Sequence, residues 1–422
     1  MSDLASSPAP PNRLRAPDPD STYALLRNRD FVLYLIGRFV ASFGLQMLTV
    51  AVGWELYERT HQALALGLVG LTNMVPMFLL TLPAGHLADN LNRKHIIVAM
   101  TGLSAVASAG LAVVSALPGP TPWIYACLFF SGVARTFLWP ASSSFLPQLV
   151  DRRSFPRAVA WSMGSFHLSS VAGPAAGGAI IALGHHAAPV YALNALSLIA
   201  CLCLVSAVRY QPVAAVREPM TLSSLVAGFR FVFASRIILG TITLDLFAVL
   251  LGGATALLPV YAKDILQVGP SGLGVLQAAL PIGSLLSSLI LAHRPLERAG
   301  RALLWAVIGF GAATIVFGLS RSFALSFLML FACGATDNVS VVVRHTLVQL
   351  LTPDEKRGRV SAVNSLFIGT SNELGGFESG LVAHWLGPLF AVVSGGAGTI
   401  LVVLAVAWIW PEIRRYGRLT PD

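Results

Sequence analysis

From residue 31 to residue 410 this chain is a succession of apolar stretches, and nothing else in it limits the fold so strongly. Each stretch supplies the roughly 20 residues that an α-helix needs to cross a bilayer. Read along the chain, they cover 31–57, 65–88, 95–117, 122–147, 158–184, 188–208, 237–261, 271–293, 302–319, 323–347, 360–385 and 388–410. Only 11% of the 422 residues are charged, against about 25% in an ordinary soluble domain. That surplus of apolar surface excludes a soluble enzyme, and an apolar share of 55% excludes a disordered chain. The alternating ten-residue segments of a membrane β-barrel are absent. The expected class is an all-α membrane protein with twelve transmembrane helices.

The breaks between stretches are short, apart from residues 209–236. This break divides six stretches from six, and its run from Leu222 to Phe233 is amphipathic. The expected organisation is a disordered tail at 1–29, a six-helix bundle at 30–208, a linker at 209–236 lying on the membrane surface, a second bundle at 237–410, and a tail at 411–422. Residues 1–29 have no apolar core, so they do not read as a cleavable signal peptide. The first helix is expected to do the targeting.

The net charge of +9 reads as topology, not as a nucleic-acid footprint. If the N-terminus lies inside, 22 of the 28 Lys and Arg residues fall on the cytoplasmic side. Three lie outside (Arg59, Lys263, Arg321) and three within spans (Arg38, Arg135, Arg344). Basic residues stay on the cytoplasmic side of membrane helices, so both termini are expected there.

The chain also repeats itself. Leu146-Pro147-Gln148-Leu149 precedes the fifth stretch and Leu347-Val348-Gln349-Leu350 the eleventh. Beyond them Ala160 aligns with Ala362, Gly173 with Gly375 and Gly178 with Gly380. An offset of about half the chain predicts two parallel halves with a central site between them. The four cysteines have no disulfide or metal-ligand spacing. No phosphate-binding G-x-x-x-x-G-K-[ST] pattern occurs, so no cofactor, metal or direct use of ATP is expected.

Two motifs carry a family resemblance. Gly85-His86-Leu87-Ala88-Asp89-Asn90-Leu91-Asn92-Arg93-Lys94 resembles the cytoplasmic signature of the major facilitator superfamily, with Asn90 and Asn92 departing from its usual basic residue and glycine. Gly173-Pro174-Ala175-Ala176-Gly177-Gly178 resembles the signature of that superfamily's exporters. Ala227–Phe231 and Thr352–Asn364 fit its branch of siderophore and drug exporters. The resemblance implies two six-helix bundles around a cavity lined by spans 1, 4, 7 and 10. It gives Gly85, Asp89, Arg93 and Lys94 the part of a cytoplasmic latch, and Gly173, Pro174, Gly177 and Gly178 that of close helix packing. It also implies the bacterial inner membrane, a monomer, and a small-molecule substrate exchanged for protons.

Charges within spans cost at least ~2.5–3.5 kcal/mol each on insertion scales and mark function by default. Here they are Arg38 and Glu55 in span 1, Arg135 in span 4, Asp245 in span 7, Asp337 and Arg344 in span 10, and Glu373 and Glu378 in span 11. All but the last two fall on the four spans that the resemblance places around the cavity. At ~1.5 Å per residue, Arg38 and Asp245 lie equally deep, as do Arg135 and Asp337. The expectation is that Arg38–Asp245 and Arg135–Asp337 pair across the cavity in the inward-closed state. The alternative is fixed pairs within one half, such as Asp337 with Arg344. Glu373 and Glu378 are candidates for pairing with their surroundings near Asn372 or for proton carriage, Glu55 for simple contact with water, and Trp54 for an interfacial anchor. The leading functional reading is a proton-coupled exporter of amphipathic molecules. Its rivals are a nutrient importer or uniporter of the same fold and, further off, a polytopic membrane enzyme or assembly partner.

Overall fold

Twelve long helices carry the chain back and forth in the computed structural model, which describes residues 24–117, 119–209, 229–294 and 296–417. The N-terminal tail, most of the linker, the last five residues and the side chain of Asp89 lie outside this description. In the first half, α1 is Arg29–Thr60, α2 Ala63–Asn90, α3 Arg93–Ala116, α4 Pro122–Leu149, α5 Phe155–Gly184 and α6 Ala188–Ser206. In the second, α7 spans Arg236–Ile265. It is followed by α8 Gly269–His293, α9 Ala299–Leu319, α10 Phe323–Leu351, α11 Asp354–Leu386 and α12 Pro388–Ile409.

Local chemistry sets the ends. Asn28 accepts from the amides of Asp30 and Phe31 at 3.0 and 3.2 Å and starts α1. Asn92 does the same for α3 through the Lys94 amide. Side-chain oxygens at this position satisfy amides that have no partner within the helix. Proline stands in the first turn of α4, α5, α6, α8 and α12, where its missing N–H costs nothing.

Two helices depart from the plain apolar rod. α11 is long enough to span, but among the described helices of that length it alone is too polar to count as a span on composition. α7 is broken: a regular segment Arg236–Leu251 gives way at Gly252–Gly253 to a 3₁₀ turn, Ala254–Leu257, and a π turn, Tyr261–Ile265. A Cβ on Gly252 would come within 2.5 Å of the Phe310 ring of α9, and one on Gly253 within 2.6 Å of the Ser379 hydroxyl of α11. Tight packing on two sides demands glycine there, and consecutive glycines weaken a helix.

The packing realises the internal repeat. In the first half α1 lies on α5 and α6, α3 on α4 and α6, and α2 on α4. In the second, α7 lies on α11 and α12, α9 on α10 and α12, and α8 on α10. Adding six to each label maps one set onto the other. The halves then meet along two further pairs that the same operation exchanges, α5 with α8 and α2 with α11.

The apolar cores show how they meet. At the end carrying the α1–α2 and α7–α8 turns there is one shared core. Met47, Leu56 and Leu66 of the first half lie in it with Leu257, Tyr261 and Leu273 of the second. At the other end the cores are separate: Tyr34, Ile97 and Phe145 in the first half, Leu244, Leu303 and Leu347 in the second. The halves therefore close on each other at one end and pack independently at the other.

Candidate transport site

Small residues draw the halves together. On the α5–α8 seam, a Cβ on Gly178 would lie 3.1 Å from the Gly274 Cα, and one on Gly274 would run into the Pro174 carbonyl. On the α2–α11 seam, a Cβ on Gly380 would lie 2.7 Å from the Gly67 Cα, and one on Gly70 would run into the Glu373 carbonyl. Such backbone approach is how membrane helices associate. The exporter-like motif is divided in its duties. Gly173 and Gly177 face Gln46 and Met47 of α1, while Gly178 faces the other half.

Where the α2–α11 seam ends, a charged pair spans the halves. Gly132 lets α4 come against Pro76 of α2, since a Cβ there would be 2.8 Å from the proline ring. One turn on, Arg135 reaches past α2 and pairs with Glu373 of α11. The arginine side chain is 52% exposed and the glutamate 17%, so the guanidinium is the open member. Asp337, the partner expected in the inward-closed state, is not beside it in this structure. It lies inside the second half and lines a small cavity between α7, α9 and α10 with Asp245, Phe310 and Ser340.

The other pair expected of the inward-closed state is not formed in this structure either. Asp245 is ion-paired with Arg344 of its own half, and both are buried. Arg38 is exposed and neighbours Tyr34 and Cys201 within the first half. Depth along a helix fixes one coordinate only, and rotation about the helix axis turned these side chains elsewhere. Within the second half Arg344 takes Asp245 on α7, while Asp337 lies two turns away on its own helix. Glu378 is half-buried on α11, with the Ser379 hydroxyl at 3.4 Å.

The motif that ends α2 and begins α3 holds its own half. Arg93 is buried and its Nε donates to the Ala88 carbonyl at 3.4 Å. Lys94 Nζ donates to the carbonyls of Ser206 and Val208, both at 2.7 Å, closing the end of α6. A cation is favoured at that helix terminus. Gly85 is buried in α2.

Sequence reasoning missed a polar clasp at the closed end. The Tyr57 hydroxyl donates to the Asp264 carboxylate. Lys263 Nζ lies 3.6 Å from Glu58 and 5.6 Å from the centre of the Trp54 ring. The signal was the Lys-Asp dipeptide beside the α7–α8 turn, on the side poorest in basic residues. Trp54, expected as an interfacial anchor, is buried under that lysine, and Glu55, expected to meet water, is buried and paired with Arg59 at 2.5 Å.

A family model described as transmembrane secretion effector matches residues 20–414. The enterobactin exporter EntS of Escherichia coli O1:K1 / APEC is 28% identical over 400 residues, 93% of this chain and 94% of that protein. Among solved structures, a bacterial homolog of the human lysosomal transporter Spinster, inward-facing and unoccupied, superposes with a TM-score of 0.69 at 15% identity, covering 94% of this chain and 99% of the other. A peptide transporter POT superposes at 0.74 with 12% identity, covering 92% and 95%.

Proposed function

Because the chain belongs to the transmembrane secretion effector family of the major facilitator superfamily, we propose that it is a secondary exporter. It carries amphipathic small molecules, siderophore-like or drug-like, out across the bacterial inner membrane by alternating access in exchange for protons. The observation that carries this reading is the core shared at one end and divided at the other, with Arg135–Glu373 where the division begins. The bias of basic residues supports a cytoplasmic position for the divided end and both termini. The structure is then the inward-open form of a monomer, ready to take cargo from the cytoplasm. Export, as opposed to import, is supported by the match to the enterobactin exporter and by the α5 motif. The peptide transporter, at 12% identity, speaks for the fold alone.

In this reading cargo meets the half-exposed Arg135 guanidinium first. An acidic or strongly accepting group competes with Glu373 for it. Because Gly70 of α2 sits on the Glu373 carbonyl, loosening that pair acts directly on the seam that must part for release outside. Membership of a transporter family leaves no enzymatic step to assign.

The test is transport in proteoliposomes with enterobactin and ethidium as probes and an imposed pH gradient. Exchange for protons concentrates a probe in vesicles with an acidic lumen, whichever way the protein is inserted, and a protonophore abolishes the effect. Accumulation only in an alkaline lumen means symport, and would overturn the proposal.

A further inference from the structure

The two charged clusters differ in their balance. Arg135 and Glu373 are matched one to one. In the second half one guanidinium serves two carboxylates: Arg344 is paired with Asp245, and Asp337 shares the cavity with Asp245. Arg344 is 3% exposed, and its Nε has no hydrogen-bond partner. Among the described residues, the surroundings of Asp337 supply no other charge to compensate it. From α7 comes Asp245, and from its own helix come the Cys333 thiol one turn back and Arg344 two turns on. The α9 wall is Val307 and Phe310. From α8 come only the hydroxyls of Ser284 and Ser287, engaged with the Gly334 carbonyl and with Asn338. His345 is turned to the exposed side.

Two carboxylates and one guanidinium leave one negative charge over, and an uncompensated charge in apolar surroundings is strongly disfavoured. A proton removes it. We propose that Asp337 carries the coupling proton and that Arg344 is the switch that reads it. With Asp337 neutral, Arg344 holds Asp245 alone, as observed. When the O–H bond of Asp337 breaks and its proton leaves to water on the cytoplasmic side, the unpartnered Nε edge of Arg344 answers the new carboxylate on its own helix and loosens its hold on Asp245 of α7. A proton from water on the outer side re-forms the O–H bond and restores the first arrangement.

The internal repeat, at the 201-residue offset of Leu146 and Leu347, sets Arg135 of α4 against Thr336 of α10, the neighbour of Asp337. This inference rests on the proton-exchange reading above, and its test separates the two. The full-length protein is reconstituted and two activities are measured with enterobactin: accumulation driven by a pH gradient, and probe-for-probe exchange without one. Absence of gradient-driven accumulation in the unaltered protein defeats the exchange reading itself. With that activity present, Asp337→Asn, which mimics the neutral acid, is expected to lose it at least tenfold and to keep exchange within about threefold. Asp337→Glu is expected to keep both, with a displaced pH profile. Retained accumulation in Asp337→Asn, or loss of exchange in both variants, would overturn the assignment, the latter by showing a structural role.

Discussion

The α5–α8 and α2–α11 seams are related by the repeat and built alike at the backbone, yet Arg135–Glu373 gives one of them a charged end. Both close on glycines, Gly178 against Gly274 and Gly380 against Gly67. Along α11 the seam ends at Glu373, held by Arg135. The repeat puts Val171 of α5 in the place of Glu373. A duplicated scaffold thus supplies two equal hinges, and responsiveness enters where one of them departs from symmetry. An apolar seam responds to shape; a seam ending in an ion pair responds also to any ion or cargo that competes for the pair.

Substitutions can break the likeness between the seams or sharpen the difference. The largest effect is expected from Gly178→Leu. The new side chain meets backbone, which cannot swing aside, and overpacking of this kind costs about 1–3 kcal/mol or more. Transport should be lost, and a cysteine placed at Ala254 in the shared core, in a background without the native cysteines, should become reactive to impermeant thiol reagents. Gly380→Leu should do the same if the seams are mechanically equivalent.

Arg135→Gln comes next. It strips Glu373 of its cation, and hydrogen bonds to charged groups are worth about 1.5–3 kcal/mol, so transport should fall at least tenfold. The exchanged pair Arg135→Glu with Glu373→Arg should recover part of that loss, whereas Val171→Glu with Arg135→Gln should recover none. Recovery through Val171 would show that the seams are interchangeable. Gly70→Ala presses on the same glutamate through its carbonyl and should give a several-fold fall, read as the initial rate of gradient-driven uptake. The smallest effect is expected at the outer clasp. Lys263→Met removes a partly exposed pair, worth about 0.2–1 kcal/mol, and should raise outer thiol reactivity by no more than about fivefold.

Much of the scaffold was legible in the sequence. The apolar stretches gave the number and order of the helices, although α11 owes its place to packing on α2 and α7 more than to its own hydropathy. The pairing of Gly173 with Gly375 and Gly178 with Gly380 anticipated positions that do play matching parts: the first two face α1 and α7, the second two face the opposite half. The candidate charges were also recognisable as such, because lipid makes every one of them conspicuous. Their partners were not. In this structure Arg135 is paired with Glu373 and Asp245 with Arg344, whereas Asp337 and Arg38 were the partners expected in the inward-closed state. The clasp of Tyr57 with Asp264 went unnoticed because hydroxyls and rim charges stand out in no hydropathy pattern.

By itself the sequence determined how deep each charge lies, since helical rise turns residue number into distance along one axis. Only the tertiary structure decided which charges meet. That depends on how each helix is rotated and how closely its neighbours approach, and these are set jointly by glycines on helices hundreds of residues apart.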